Sequence, residues 1–123
     1  MLYVEDNALV REITCELLAD DSREVTAVSS AEEALVALKE NPFDIVVTDV
    51  SLPVMSGIDL AKQIQRLAPS MPVILASGYP LDTANLRLGA KIRAICKPFD
   101  TQQLDALIQE LCASGAPTGR LSA

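Results

Sequence analysis

The stretch "FDIVVTD", residues 43–49, restricts the fold more than any other part of the chain. Ile45, Val46, Val47 and Thr48 stand together with no charged residue to face water. A half-buried strand alternates, whereas an unbroken β-branched run of this length suits a strand covered on both faces, as parallel strands are when crossover helices pack above and below. "LYV" (2–4), "EVTAV" (24–28), "VILAS" (73–77) and "IRAIC" (92–96) are further short apolar runs, separated by stretches of helical period. Five strands alternating with five helices predict an α/β three-layer sandwich around a parallel five-stranded sheet.

The helices are read from their caps and periods. Asn7 is a predicted N-cap, and Val10, Ile13, Leu17 and Leu18 recur at helical spacing, leaving Arg11, Glu12 and Glu16 outside; that helix ends near Asp20. Ser30 and Glu33 have capping-box spacing, and Ala34, Leu35 and Leu38 supply the second helix's buried face. Leu60, Ile64 and Leu67 form the third helix's stripe, closed by Pro69 and Pro72. A short fourth helix is expected from Asp82. The fifth, from about Asp100, carries Leu104, Leu107, Ile108 and Leu111 at i, i+3, i+4 and i+7. "ASGAPTGRLSA" is aperiodic and rich in small residues, so residues 1–112 are expected to form one domain and 113–123 a flexible tail or linker.

With 123 residues, half of them hydrophobic, the chain has room for one core. Ten basic residues against 17 acidic ones give a net charge of -7, which argues against direct binding to nucleic acid. There is no histidine, so Ser/His/Asp and Cys/His catalysis and His-bearing metal sites are excluded. Cys15, Cys96 and Cys112 are odd in number and lack CxxC spacing, which favours reduced thiols and a cytoplasmic location. No signal-peptide pattern opens the sequence, and no run approaches the roughly 20 apolar residues of a membrane span.

In open α/β sheets the working groups collect at the carboxyl ends of the strands. Here those ends carry Glu5 and Asp6, Asp49, Ser77, and Lys97 followed by Pro98. Two like charges about 4 Å apart repel by roughly 4 kcal/mol at an effective dielectric of 20, so three convergent carboxylates call for a cation. Oxygen ligands without His or Cys suit Mg²⁺, or Mn²⁺. Singly, each residue is an ordinary surface charge or helix cap. Together they are the set a phosphoryl transfer needs: a metal and a lysine to neutralise oxygens, a hydroxyl to bond one of them, and a carboxylate to attack phosphorus.

The motifs "VED", "VVTDVSLPVMSG", "VILASGY" and "CKPF", in this order from Leu2 to Leu111, resemble the receiver domain of two-component response regulators. The resemblance implies a flavodoxin-like (βα)5 fold of strand order 2-1-3-4-5, for which a member of that family is itself a standard illustration. It implies that Asp49 accepts a phosphoryl group from a phosphohistidine on a histidine kinase or a histidine phosphotransfer protein. Asp6 and Asp49 would bind Mg²⁺ directly, Glu5 through water, and Ser51 through its backbone carbonyl. Lys97 would pair with phosphoryl oxygens and Ser77 would hydrogen-bond one of them. The Lys97–Pro98 peptide would be cis, and Gly57 would open the turn into the third helix. A downstream protein would dock on the face of the fourth helix, fifth strand and fifth helix. Beyond phosphorylating and dephosphorylating itself, such a domain turns over no metabolite.

The chain also departs from the family pattern. Three residues before Lys97, where Tyr or Phe is common, it has Ala94, so Tyr79 is the candidate to take over part of the readout and, with Ser51, to tune the site. Between Gly89 and Lys97 there is no turn glycine, which predicts an irregular fifth strand. Two alternatives use the same residues: a Mg²⁺-dependent aspartyl-phosphate phosphatase, and an unphosphorylated binding module on the same fold. The wording of "LPVMSGIDLAKQI" also suits a receiver within a hybrid sensor kinase.

Overall fold

The computed structural model describes residues 1–19, 24–81, 89, 91–97 and 99–119, the last eight as backbone only. Five strands, β1 (Leu2–Val4), β2 (Thr26–Val28), β3 (Val46–Asp49), β4 (Val73–Ser77) and β5 (Ile92–Cys96), pair in parallel in the order β2-β1-β3-β4-β5. The helices are α1 (Ala8–Leu18), α2 (Ala31–Glu40), α3 (Gly57–Leu67) and α4 (Thr101–Gly119). The helix expected from Asp82 falls outside the described residues, as does Pro98 with its peptide bond; α4 is therefore the fifth helix of the sequence reading.

Period-2 alternation divides the sheet between two cores. Leu2, Val4, Val46, Val73 and Leu75 pack against Ala31, Ala34, Leu60 and Ile64 of α2 and α3. Tyr3, Val47 and Ile74 point the other way, against Leu18 of α1 and Leu104 and Leu111 of α4. Both neighbours of each central strand residue are thus buried, which is why the sequence of β3 carries no polar alternation. Its register pairs Thr48 with Leu75 and Asp49 with Ala76, so the carboxylate follows directly on a fully paired, buried strand.

The caps match their chemistry. Asn7 Oδ1 accepts from Val10 N at 3.0 Å, and Ser30 Oγ from Glu33 N at 3.1 Å. The Glu33 carboxylate reaches one residue farther than a capping box requires, accepting from both the N–H and the hydroxyl of Ser29 at 2.8 Å. Ser56 caps α3 by accepting from Asp59 N. Asp100 and Gln103 satisfy each other's backbone N–H groups at the start of α4.

Helix phase is where the sequence reading is corrected. In α1 the positions turned inward are Arg11, Thr14, Cys15 and Leu18, and only Leu18 is buried; Val10, Ile13 and Leu17, expected inside, are exposed together with Leu9. The apolar residues of α1 span an arc wider than one face, so their spacing alone does not select which edge meets the sheet. Leu67 is likewise exposed, because α3 ends there, past the buried Leu60, Ala61 and Ile64. The fifth strand, expected to be irregular, pairs with β4 at all five residues. The backbone of α4 continues helically to Gly119, eight residues past Leu111. Pro117, inside this extension, has no N–H to donate, so the last turns hold one hydrogen bond fewer than a regular helix.

Candidate functional site

β1, β3, β4 and β5 end on one edge of the sheet, and their parallel register brings the predicted residues together there. Glu5, Asp6 and Asp49 each offer a carboxylate oxygen, all within 4.8 Å of one another. Glu5 is 3% exposed and Asp49 8%, while Asp6 is open to solvent. Lys97 bridges the two buried acids: its Nζ lies 3.0 Å from Asp49 Oδ1 and 3.3 Å from Glu5 Oε1. Partial burial pushes the Lys97 ammonium's pKa down, but the adjacent Asp49 and Glu5 carboxylates outweigh that and hold it above the ordinary lysine value. Lys97 is therefore a cation at neutral pH. One ammonium against three carboxylates leaves an excess of negative charge, and the donor set is oxygen alone, which fits a hard divalent cation.

Backbone contacts fix the edge. Lys97 N donates to Ser77 O at 2.7 Å, and Val50 N to Ala76 O at 3.0 Å. Ser77 is buried, and its Oγ accepts from Tyr79 N at 3.2 Å, which orients the hydroxyl while leaving its own proton to donate. The Tyr79 ring is 62% exposed. Ser51, two residues past Asp49, lies on the exposed part of the loop. Gly57 is required by close approach: its N–H donates to Val50 O at 2.9 Å, and a Cβ there would collide with the Asp49 carbonyl. Ala94 sits in β5 opposite Leu75, and its methyl group leaves no ring to move. Val54, in the same loop as Ser51, has φ 67 and is 96% exposed, and Met55 N donates to Pro53 O at 2.7 Å across it. This is the strained form of a three-residue turn, held by a β-branched residue.

Three contributors escape the sequence reading, and all hold Glu5. Arg11 Nη1 donates to the Glu5 carbonyl at 2.9 Å, Asn7 N to Glu5 Oε2 at 3.2 Å, and the Tyr3 hydroxyl lies 3.5 Å from Glu5 Oε1. Apolar spacing gives α1 the wrong phase and so turns Arg11 toward solvent. Tyr3 does carry a signal: it is the one hydroxyl in an aliphatic strand, two residues before Glu5 and hence on the same face. Burial pushes the Tyr3 pKa up, Thr14's hydrogen bond opposes this, and the charges of Glu5 and Asp49 add to the rise, so the hydroxyl keeps its proton.

Comparison with known proteins gives a uniform result. Residues 1–109 match the family model of the response regulator receiver domain. The two-component response regulator PhoP of Pseudomonas aeruginosa is 34% identical over 113 residues, covering 90% of this chain and 50% of PhoP. The sensor protein TorS of Escherichia coli is 34% identical over 111 residues, 88% of this chain and 12% of TorS. The chain thus spans half or less of these relatives. Among solved structures, a response regulator receiver domain protein from Clostridium thermocellum superposes with a TM-score of 0.82 at 31% identity, covering 92% of this chain and 93% of that one. The response regulator TrrA of Thermotoga maritima, solved with Mg²⁺ and beryllofluoride, gives 0.77 at 25% identity, covering 89% and 96%.

Proposed function

The chain belongs to the response regulator receiver domain family, and from that premise we propose that Asp49 is its phosphoacceptor and Mg²⁺ its metal. The observation that carries the reading is the Lys97 bridge: a cation 3.0 Å from Asp49 and 3.3 Å from Glu5, with Asp6 open beside them. An Asp49 oxygen attacks the phosphorus of a donor phosphohistidine. The P–N bond breaks with its electron pair going to the ring nitrogen, and neutral imidazole leaves when the other ring nitrogen carries the proton. The product is an acyl phosphate on Asp49.

When bound, Mg²⁺ (or Mn²⁺) supplies positive charge against the phosphoryl oxygens. Asp6 and Asp49 would hold it directly, the Ser51 carbonyl would add a ligand, and Glu5, enclosed by protein donors, would act through water. Lys97 turns from Asp49 toward the phosphoryl oxygens, and the Ser77 hydroxyl donates to one of them. The new group adds close to two negative charges, which draws the β4 loop inward and changes the face that includes β5 and α4, where a downstream protein docks. With Ala94 in place of an aromatic ring, Tyr79, tethered to Ser77 Oγ by its own N–H, takes part in the readout. We assign residues 1–112 to the receiver unit and the cytoplasm as its location; among the described residues no helix is long and apolar enough to cross a membrane.

The test is intact-protein mass after incubation with acetyl phosphate, with and without Mg²⁺. One added phosphoryl group that requires Mg²⁺ and disappears in Asp49→Asn is the expected result; a gain that survives in Asp49→Asn would overturn the assignment. The decay of that mass in Tyr79→Ala is expected to differ from wild type, and an unchanged decay removes Tyr79 from the site's tuning.

A further inference from the structure

Glu5 is the most enclosed acid of the site, and every oxygen it has meets a donor. Its carbonyl takes Arg11, Oε2 takes the Asn7 N–H, and Oε1 takes Lys97 at 3.3 Å with the Tyr3 hydroxyl at 3.5 Å. The last two are unequal. The ammonium is the closer and stronger partner, and the hydroxyl stands at the outer limit of a hydrogen bond. Yet Tyr3 is 1% exposed, anchored in β1 between Leu2 and Val4, and its ring packs in the α1/α4 core with Thr14 beside its hydroxyl.

This inequality has a consequence once Asp49 is phosphorylated, and it rests on the reading proposed above. Lys97 has one Nζ to share. When it turns to phosphoryl oxygens, Glu5 Oε1 loses its cation while the carboxylate stays 97% out of solvent. A buried carboxylate oxygen that loses its closest and only charged protein donor is destabilised, and that cost would oppose phosphorylation. The Tyr3 hydroxyl lies 3.5 Å from the same oxygen, and a shift of just under an ångström would bring it to the length of a strong hydrogen bond to a carboxylate.

We propose that Tyr3 is a positioning residue that takes over Glu5 Oε1 when Lys97 moves to the phosphoryl group, and so stabilises the phosphorylated form over the unphosphorylated, Mg²⁺-bound one. The hydroxyl acts through Glu5 and touches neither the phosphoryl group nor the ion. The oxygen of Tyr3, not its ring, carries this role, and only in one state of the site.

The experiment uses the full chain and two tyrosines, Tyr3 and Tyr79, the only ones present. With ¹³Cζ-labelled tyrosine, two ring-carbon NMR signals are expected, Tyr3's being the one absent in Tyr3→Phe. Titration with Mg²⁺ alone should leave the Tyr3 signal nearly unmoved. Adding beryllofluoride, a phosphoryl mimic, should shift it in the direction of a stronger hydrogen bond to a carboxylate. In Tyr3→Phe, which keeps the ring, Mg²⁺ affinity should stay within about twofold of wild type while beryllofluoride affinity falls about tenfold, the scale of one hydrogen bond to a charged group. If wild type binds beryllofluoride and the Tyr3 signal does not move, the inference is wrong and the receiver reading stands. Equal loss of both affinities in Tyr3→Phe also overturns it, since a structural defect acts on both. Should wild type bind no beryllofluoride with Mg²⁺ present, the receiver reading fails and the inference falls with it.

Discussion

Replacing Gly57 by alanine should damage the protein through Asp49. A Cβ at Gly57 falls on the Asp49 carbonyl oxygen, 2.9 Å from its carbonyl carbon and 3.0 Å from Val50 Cα, against 3.4 Å or more for ordinary contact. All three atoms are backbone, and they belong to the last residue of β3 and the one after it. Val50 N is bound to Ala76 O and Val50 O receives Gly57 N, so relief requires β3 and α3 to separate by about an ångström at a fully hydrogen-bonded junction. Alanine favours a helix over glycine by about 1 kcal/mol, which opposes the effect. Overpacking in a close-packed site costs about 1–3 kcal/mol, and more where only backbone can move, so a net loss of about 2 kcal/mol is expected. In urea, with a slope of about 1–2 kcal/mol/M for a chain of this size, the midpoint should fall by about 1–2 M. Gly78→Ala is the control: a Cβ at Gly78 would have nothing within 4 Å, and the stability of that variant should stay within about 0.5 kcal/mol of wild type. Mg²⁺ affinity of the Gly57→Ala protein should drop as well, because the displaced atoms carry the Asp49 carboxylate. A Gly57→Ala midpoint equal to that of Gly78→Ala would refute the reasoning.

Other expectations follow from single contacts. Lys97→Met leaves Glu5 and Asp49 without their cation, so metal-free stability should fall by about 1–3 kcal/mol while Mg²⁺ binds roughly tenfold more tightly, both measurable by denaturation and metal titration; an unchanged Mg²⁺ affinity would show that Lys97 does not compete with the ion. Val54→Gly relieves the strained turn at φ 67 and, because the side chain is exposed, should raise stability by about 1 kcal/mol, whereas a loss would mean that Val54 makes a contact worth more than its strain. The Glu33 carboxyl is held below its ordinary value, first by the Ser29 N–H and then by the Ser29 hydroxyl. A group depressed on folding stabilises above its unfolded pKa of about 4.3 and loses that contribution as pH falls through the folded value, so Glu33→Gln should flatten the acid limb of the stability profile. The raised Lys97 value has the opposite sign: its contribution holds below about 10.4 and is lost as pH climbs beyond it, which Lys97→Met should abolish.

Strand content and the identity of the acidic edge were legible in the sequence because each rests on local chemistry. A β-branched run can be satisfied only between two helical layers, and a capping residue declares itself within three positions; "LYV", "VILAS" and "IRAIC" fall on their strands without adjustment. Asp49, Asp6, Lys97 and Ser77 were placed together by one topological rule, that parallel strands deliver their carboxyl ends to the same edge. What the sequence left undetermined was rotational. An α1 with apolar residues around much of its circumference has several nearly equivalent phases, and only the sheet beneath it chose to turn Arg11 toward the Glu5 carbonyl and leave Ile13 and Leu17 in water. The same holds for the partners of Glu5. Composition and spacing named the charges, but which oxygen faces Lys97, which faces Asn7 and which lies against Tyr3 depends on distances of a few tenths of an ångström, and those are set by packing between elements far apart in the chain.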